Sequence, residues 1–375
     1  MPHPSRSASA VLLAGGGTAG HVNPLLAVAD ELRRRDPDVA LAILGTTEGL
    51  EADLVPARGY TLTPLSRVPF PRRPGMDWFQ FPGRFSDAVR AAGQAIDDSG
   101  AQAVVGFGGY VSTPAYVAAR RRGVPVVIHE QNARPGLANR LGARWAARVG
   151  VTFEGTPLPG GVVTGLPLRA EVAGLVAARE ADVDAVRRDA AKELGLDPAL
   201  PTLLVTGGSL GAVSLNRAVS GAAPALAEAG IQVLHLTGRD KSAEVLSTLG
   251  QAPGPNYHVR EYLDRMHLAY AVADLVVCRS GAGTVSELAA LSIPAVYVPL
   301  PVGNGEQRLN ARPVVEAGGG ILVEDEDLHP AYVEKQLVPL LTDRDRLVTM
   351  AQSAGEVGVR DGAARVADLV AEVVS

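Results

Sequence analysis

The chain alternates short apolar runs with longer stretches whose apolar residues recur at helical spacing. In the first half, four such apolar runs each lead through a turn into a helical pattern. They are AVLLAGG before a helix over 24–35, VALAILG before GLEADLVPARG, AVVGFGG before STPAYVAARRRG, and PVVIHEQ before ARPGLANRLGARWA. Strands that alternate with helices of this length predict a parallel sheet covered by helices on both faces.

The same alternation begins again near residue 202. TLLVTGG precedes a predicted helix over 214–229, and the runs IQVLHLTG, ADLVVCRSG and PAVYVPLP follow, with the helical TVSELAALS before the last. Two series that each open with strand, glycine loop and helix predict an α/β protein with two Rossmann-like, doubly wound domains.

The domain boundary is predicted near 165–169, which gives an N-terminal domain over 1–166 and a C-terminal domain over 167–354. The alanine- and charge-rich stretch 171–196 is predicted to be a helix that leads into the second domain. A last amphipathic helix, about 355–375, has apolar residues at helical spacing, and this pattern alone does not choose the domain on which it packs.

Composition narrows the class of protein. The chain has 375 residues, 47% of them apolar, which suits two domains with cores of their own. A net charge of −5 argues against a general nucleic-acid binder. The single cysteine excludes a disulfide framework and favours a reducing compartment. With no signal-peptide pattern and no run near the ~18 apolar residues of a membrane span, we expect a soluble cytoplasmic protein.

Four glycine loops follow predicted strands. They contain Gly15, Gly17 and Gly20 in the first, and the segments 106–110, 207–212 and 280–284 in the others. Glycines let the backbone approach a ligand closely, and the helix that follows supplies amide donors and a positive dipole end. Ligands of open α/β sheets bind beyond the carboxyl ends of the strands, so the loops predict two ligand-binding edges that face one another across a cleft. Ordinary tight turns are the alternative.

The first loop matches the dinucleotide pattern G-x-G-x-x-G, but that match alone is weak. A nicotinamide enzyme also needs a carboxylate at the end of the second strand, whereas that strand here ends in Thr46-Thr47, with none before Glu48. An oxidoreductase is therefore a distant alternative.

Five motifs together resemble the MurG family of glycosyltransferases. They are GGGTAGHVNP, GFGGYVSTP, HEQN, GGSLGA and CRSGAGTVSEL, in this order, and the resemblance extends over about 11–310. It implies the GT-B fold, with the last helix crossing back to the first domain. It also implies an inverting, peripheral membrane enzyme that moves N-acetylglucosamine from UDP-N-acetylglucosamine (UDP-GlcNAc) to lipid I, the undecaprenyl-linked muramyl-pentapeptide, and so forms lipid II of peptidoglycan.

Three positions depart from the family pattern. Ala19 stands where glycine is usual, Leu210 stands where glutamine is common, and the usual His-Gln pair is Glu306-Gln307 here. Glu306 places a negative charge near an anionic donor, which the sequence does not explain.

Glycosyl transfer requires a base that deprotonates the acceptor hydroxyl, positive charge that stabilises the leaving diphosphate, and residues that bind the uridine and the sugar. Glu287 is the natural ribose partner because a carboxylate can accept hydrogen bonds from both hydroxyls of a diol. Arg169, at the domain junction, is a mobile cation for the diphosphate. The resemblance supports the role of Glu287 and adds the rest of the donor-binding set: Thr18, Ala19, Gly20, Ser209, Leu263 in the uracil-binding segment 262–266, Ala282, Gly283, Thr284, Gln307 and Asn310.

His21 is the candidate catalytic base. Its ordinary pKa of about 6.5 suits proton transfer near neutral pH, and a helix N-terminus keeps the ring neutral. The alternative is a histidine that merely braces the loop. For acceptor binding we predict His129 and Asn132 in HEQN, together with Tyr110. Glu130 can instead cap the next helix.

No metal ligand set is predicted. Asp325-Glu326-Asp327 precedes a helix-start pattern, which favours N-capping. We expect no required cofactor, while stimulation by a divalent cation stays open.

Residues 66–90 combine aromatic and basic side chains and predict contact with an anionic membrane surface. The membrane-associating set is Phe70, Trp78, Phe79, Phe81, Phe85, Arg72 and Arg73. A small local core built from some of these rings is the alternative. The resemblance places the protein on the inner face of the plasma membrane, with cell-wall synthesis and division proteins as candidate partners.

Two further alternatives stay open. One is a different GT-B enzyme that uses a UDP-sugar. The other is a non-catalytic, nucleotide-sugar-binding membrane adaptor, which would need Glu287 but not His21.

Overall fold

The two series of strands form two separate parallel sheets. The computed structural model describes residues 10–69, 76–208, 210–250 and 254–374, and residues 76–78 by their backbone only. The chain divides into unit 1, formed by Met1–Arg169 with Asp361–Ser375, and unit 2, formed by Ala170–Arg360. The predicted α/β class with two Rossmann-like domains is confirmed.

Unit 1 has a seven-stranded sheet in the order β3-β2-β1-β4-β5-β6-β7, and every pairing is parallel. Its strands are β1 (Ala10–Ala14), β2 (Ala40–Gly45), β3 (Leu62–Pro64), β4 (Ala103–Gly106), β5 (Val126–Glu130), β6 (Arg148–Val151) and β7 (Gly161–Val163). Its first helices are α1 (Ala19–Arg35), α2 (Glu51–Ala57), α3 (Met76–Ser99), α4 (Ser112–Arg122) and α5 (Leu137–Gly142).

Alternating residues of these strands enter two hydrophobic clusters, one on each face of the sheet. Leu12 and Val104 face the cluster covered by α3 and α4, whereas Leu13 and Val105 face the one covered by α1. This burial on both faces explains why the strands consist of continuous apolar runs.

Unit 2 has a six-stranded sheet in the order β10-β9-β8-β11-β12-β13, again parallel throughout. Its strands are β8 (Thr202–Thr206), β9 (Gln232–Leu236), β10 (Tyr257–Arg260), β11 (Leu275–Cys278), β12 (Ala295–Tyr297) and β13 (Gly320–Leu322). Its helices are α6 (Ala170–Leu194), α7 (Val213–Gly221), α8 (Ala223–Glu228), α9 (Ser242–Leu249), α10 (Met266–Val272), α11 (Ala282–Ala290), α12 (Glu306–Glu316), α13 (Pro330–Tyr332), a π-helical turn Val333–Leu337, α14 (Val338–Thr342) and α15 (Arg344–Val357).

Two helices of unit 2 differ from the prediction. The helix predicted over 214–229 is two helices: α7 ends at Gly221, and Pro224, which has no amide donor, lies in the first turn of α8. Helix α6 is interrupted at Asp182, whose backbone is extended and whose side chain accepts the Ala185 amide at 2.9 Å as a new N-cap.

The chain ends in α16 (Gly362–Val374), which belongs to unit 1. Val366 and Val370 of α16 are buried in the cluster that also contains Leu13. Arg35 of α1 forms an ion pair of 2.6 Å with Asp368. None of the helices in the described part of the chain has the length and apolar composition of a membrane span.

Candidate functional site

Two glycine loops of unit 1 pack directly on one another. Gly108 and Gly109 have φ of +91° and +83°, a conformation that favours glycine. A Cβ on Gly109 would lie 2.5 Å from the Gly16 carbonyl oxygen, so the loops after β1 and β4 meet backbone to backbone. This close approach, together with the positive φ, explains the glycine at position 109 without a ligand.

His21 lies in the first turn of α1, beside both loops. Its Nδ1 is 2.9 Å from the Thr18 hydroxyl, and its ring would lie 3.2 Å from a Cβ placed on Gly108. Burial lowers the pKa of the imidazole, although a hydrogen bond to the Gly16 backbone and the negative charge of Glu51 act in the opposite direction. Burial is the largest of these effects, so the ring is neutral near pH 7.

Glu51, which sequence reasoning missed, occupies the centre of the first loop. Its side chain is fully buried at the start of α2 and accepts the Gly17 amide at 2.8 Å. The Thr46 amide and hydroxyl donate to its other oxygen, at 2.9 and 2.7 Å. An internal carboxylate therefore binds an amide that a dinucleotide site would offer to phosphate, which counts further against the nicotinamide alternative. The signal in the sequence was the pair of glycines at 45 and 49, shortly before Glu51.

The predicted acceptor residue His129 is fully buried in β5. Its Nε2 lies 2.9 Å from the Gly165 carbonyl oxygen and so donates to it, and its Nδ1 lies 3.2 Å from the Gln131 amide nitrogen. Burial lowers the pKa of His129 to about 4. Both ring nitrogens form hydrogen bonds within unit 1. His129 therefore has a structural role and has no free ring nitrogen for the acceptor substrate.

Glu130 shapes the loop that follows β5. Its carboxylate accepts the amides of Asn132 at 2.9 Å and Gly136 at 3.0 Å, and the Asn139 side-chain amide at 2.9 Å. Burial raises the pKa of Glu130, and these hydrogen bonds oppose the rise. Gly136 is the N-cap residue of α5, so Glu130 holds the backbone just before that helix. Asn132 itself is half-buried at the edge of unit 1.

Tyr110, the third predicted acceptor residue, follows the β4 loop. Its ring is 38% exposed, and the Arg67 guanidinium lies 5.1 Å from its centroid, within the range of a cation–π contact. Tyr110 thus presents part of an aromatic face at the same sheet edge as His21.

In unit 2, the corresponding edge contains the start of α11. Gly281 is the N-cap, and no side chain caps the helix. A Cβ on Gly281 or Gly283 would meet open space, so the space beside these two residues is open to an approaching group. An uncapped helix start with open space beside it is suited to an anion.

Glu287 lies one turn further along α11 and is 7% exposed. The Tyr270 hydroxyl, which the sequence did not single out, donates to its Oε2 at 3.0 Å. Nearby in the fold of unit 2, the buried Asn310 side chain donates to the Ser280 carbonyl at 3.3 Å.

The start of α12 explains the departure at Glu306. Glu306 is the first residue of the helix, where a carboxylate interacts favourably with the helix dipole, and its Oε2 accepts the Asn304 side-chain amide at 3.0 Å. Gln307 accepts the Leu300 amide at 3.0 Å and so braces the loop before α12.

The remaining predicted donor residues lie at loops or at the boundary. Leu263 is half-buried between β10 and α10, and Arg169 is the last residue of the first segment of unit 1. Leu210, which is one of the three departures from the family pattern, is 80% exposed, and its carbonyl oxygen accepts a hydrogen bond from Lys241 Nζ at 2.5 Å. Thr18 is the N-cap of α1, which Ala19 and Gly20 begin. Ser209 lies outside the described residues.

The aromatic residues of α3 have two environments. Phe79 is 85% exposed, whereas Phe81 and Phe85 are partly buried against the core, with ring centroids 5.6 Å apart. Phe70, Arg72, Arg73 and the Trp78 side chain lie outside what the structure describes. The local-core alternative therefore accounts for part of this segment, and Phe79 is the ring presented to solvent.

Within the residues that the structure describes, no three His, Cys, Asp or Glu side chains converge as a metal site. Asp325 is paired with Arg279 at 2.6 Å and accepts the Ser214 hydroxyl at 2.6 Å. The predicted N-capping by this acidic segment is wrong, because His329 caps α13 with its own side chain.

Both units match models of one protein family. Residues 11–151 match the glycosyltransferase family 28 N-terminal domain, and residues 202–366 match its C-terminal domain. The chain is 57% identical over 365 residues to a UDP-N-acetylglucosamine--N-acetylmuramyl-(pentapeptide) pyrophosphoryl-undecaprenol N-acetylglucosamine transferase of Clavibacter sepedonicus, covering 97% of this chain and 96% of that protein. A transferase of the same name from Leifsonia xyli is 56% identical over 364 residues, covering 96% and 98%.

Among solved structures, MurG of Acinetobacter baumannii superposes with a TM-score of 0.76 at 28% identity, covering 97% of this chain and 99% of that one. The chain belongs to the MurG family of glycosyltransferase family 28. This MurG-family chain is thus an enzyme of the transferase class, as predicted, and the resemblance drawn from the five motifs is confirmed.

Proposed function

We propose that this MurG-family chain transfers N-acetylglucosamine, with inversion, from UDP-GlcNAc to N-acetylmuramyl-(pentapeptide) pyrophosphoryl-undecaprenol. The product would be lipid II of peptidoglycan. The observation that carries the proposal is the 57% identity over 365 residues to a transferase named for this reaction. The local geometry of the two units supports a division of roles between them.

Unit 2 is the donor-binding unit in this proposal. The open, uncapped start of α11 offers the amides of Ala282, Gly283 and Thr284 to the diphosphate. Glu287, one turn later, offers a carboxylate to the ribose hydroxyls while Tyr270 holds one of its oxygens at 3.0 Å. Leu263, Ser209, Gln307 and Asn310 complete the proposed set around uracil and sugar.

Unit 1 is the acceptor-binding unit, and His21 is the proposed base. A neutral imidazole can accept the proton of the attacking hydroxyl, and burial keeps His21 neutral by lowering its pKa from 6.5. Activity that depends on this base is present above the His21 pKa and is lost as the pH falls through it. Asn132 and Tyr110 are the proposed acceptor contacts at the same sheet edge, and Arg169, Thr18, Ala19 and Gly20 are proposed to reach the donor.

The acceptor is lipid-linked, so the proposal includes a membrane-facing surface on unit 1. Phe79 of α3 and Leu137 of α5 are 85% and 73% exposed, and large apolar side chains at such exposure are suited to the bilayer interface. We propose peripheral binding to anionic lipid on the cytoplasmic face of the membrane. Protein partners from cell-wall synthesis and division stay a prediction from the family resemblance.

The test is transfer of radiolabelled N-acetylglucosamine from UDP-GlcNAc to a lipid I analogue by the purified protein. We expect a labelled lipid product with the wild type, and at least a hundredfold lower kcat with His21→Gln at unchanged UDP affinity. UDP binding without any turnover would contradict the proposal and favour the adaptor. Turnover of the donor onto non-lipid acceptors alone would favour another GT-B activity.

A further inference from the structure

Glu51 is a buried carboxylate that the proposed reaction does not use. Its carboxylate accepts hydrogen bonds from the backbone amides of Gly17 and Thr46, from the Thr46 hydroxyl and from its own backbone amide. Burial alone would raise the pKa of its carboxyl, but the hydrogen bonds from Thr46 and Gly17 outweigh this and lower it. Glu51 is therefore ionised inside unit 1, and these hydrogen bonds offset the cost of removing its charge from water.

Three glycines from three segments leave the space that this carboxylate fills. A Cβ on Gly16 or Gly49 would overlap the carboxylate oxygens, and one on Gly45 would lie 2.7 Å from Glu51 Cγ. The loop after β1, the end of β2 and the start of α2 are thus all shaped around one side chain.

The loop that Glu51 holds also fixes the His21 ring. Gly17 is bound by Glu51, the preceding Gly16 hydrogen-bonds to the imidazole through its backbone, and the following Thr18 lies 2.9 Å from Nδ1. Gly16 in turn packs against Gly109, so displacement of this loop would also move the second glycine loop relative to the ring.

We propose that Glu51 is a positioning residue for His21, holding the Gly16–Thr18 backbone so that the imidazole faces the acceptor hydroxyl. This inference rests on the proposed function. Glu51 contacts no substrate itself and acts through the loop.

The test is Glu51→Gln, which preserves side-chain size but places an amide NH₂ against groups that donate hydrogen bonds. The matched control is Asp30→Asn, another carboxylate-to-amide change in unit 1, where Asp30 accepts from Arg58 and Tyr60 at 2.6 and 2.7 Å, away from both loops. We expect Glu51→Gln to lower kcat at least tenfold with KM for UDP-GlcNAc within twofold of wild type, and Asp30→Asn to leave both within twofold.

A second readout separates positioning from general stability. In a His21→Gln background, Glu51→Gln should lower the residual rate by no more than twofold, because both changes act on one group. An equal tenfold loss in both backgrounds would overturn the proposal, as would a kcat within twofold of wild type. If Glu51→Gln does not unfold cooperatively, Thr46→Val, which removes one donor, should lower kcat in the same way at wild-type KM.

A third readout does not need activity. The ¹⁵N and ¹H resonances of the His21 ring, assigned by their loss in His21→Gln, should shift in Glu51→Gln or Thr46→Val and not in Asp30→Asn. Unchanged His21 resonances would overturn the proposal. If the wild type shows no transfer, the proposed function fails, and these resonances alone decide whether Glu51 positions the ring.

Discussion

Protonation of His129 should destabilise unit 1 in mild acid. Burial lowers the pKa of His129 to about 4, whereas an unfolded histidine titrates near 6.5. The stabilisation is complete above pH 6.5 and is lost as the pH falls toward 4, because only the unfolded chain then binds the proton. At pH 5 the free energy of unfolding is lower by about 2 kcal/mol, because each pH unit between 6.5 and 5 costs about 1.36 kcal/mol.

The assay is urea unfolding at pH 7.5 and pH 5, followed by tryptophan fluorescence. Both tryptophans, Trp78 and Trp145, belong to unit 1, so this signal reports the unit that contains His129. His129→Gln is the comparison, since its amide can still donate to the Gly165 carbonyl but does not titrate. We expect the wild type to lose about 2 kcal/mol more than the variant between the two pH values. Equal losses would refute the buried, neutral histidine and return His129 to the candidates for acceptor binding.

Three further changes test the two units separately. Gly109→Ala should lower the free energy of unfolding of unit 1 by about 2 kcal/mol or more, because of its positive φ and the Gly16 carbonyl 2.5 Å from the new Cβ; Gly59→Ala, at φ +73° with open space, should cost less, and equal costs in fluorescence-monitored unfolding would contradict the loop contact. Glu287→Gln should weaken UDP binding about tenfold or more by calorimetry, since a hydrogen bond to a charged group contributes about 1.5 kcal/mol or more; an unchanged Kd would remove Glu287 from the donor site. Phe79→Ser should reduce co-sedimentation with anionic vesicles about tenfold, because it removes the free energy of burying one aromatic ring in the bilayer interface. Leu246→Ser on α9, the control, should not reduce it. Equal effects of the two changes would argue against a membrane-facing α3.

The fold could be predicted from the sequence where the apolar runs are long. Strands β1, β2, β4, β5, β8, β9, β11 and β12 lie within predicted runs, because burial on both sheet faces leaves continuous apolar segments. Strands β3, β7 and β13 have three residues each and, unlike β12, lie in no longer apolar run. Helix α1 begins at Ala19 rather than at Pro24, because Thr18 and two small residues start the helix where the glycine pattern suggested a loop.

The candidate site could be predicted from the sequence where its residues directly follow strands. His21, Glu287 and the start of α11 all lie at the predicted sheet edges. The sequence could not show which polar residues form hydrogen bonds within the fold and are therefore not available to a ligand. His129 binds Gly165, 36 positions away, and Glu51 binds Gly17, 34 positions away, and only the packed chain reveals such pairs.

The most direct test of the proposed division of roles is a crystal structure of the full chain with UDP-GlcNAc. The account predicts the ribose hydroxyls on the Glu287 carboxylate and the diphosphate at the amides of Ala282–Thr284. A nucleotide bound instead at the Gly15–Gly20 loop, with Glu51 displaced from the Gly17 amide, would contradict it.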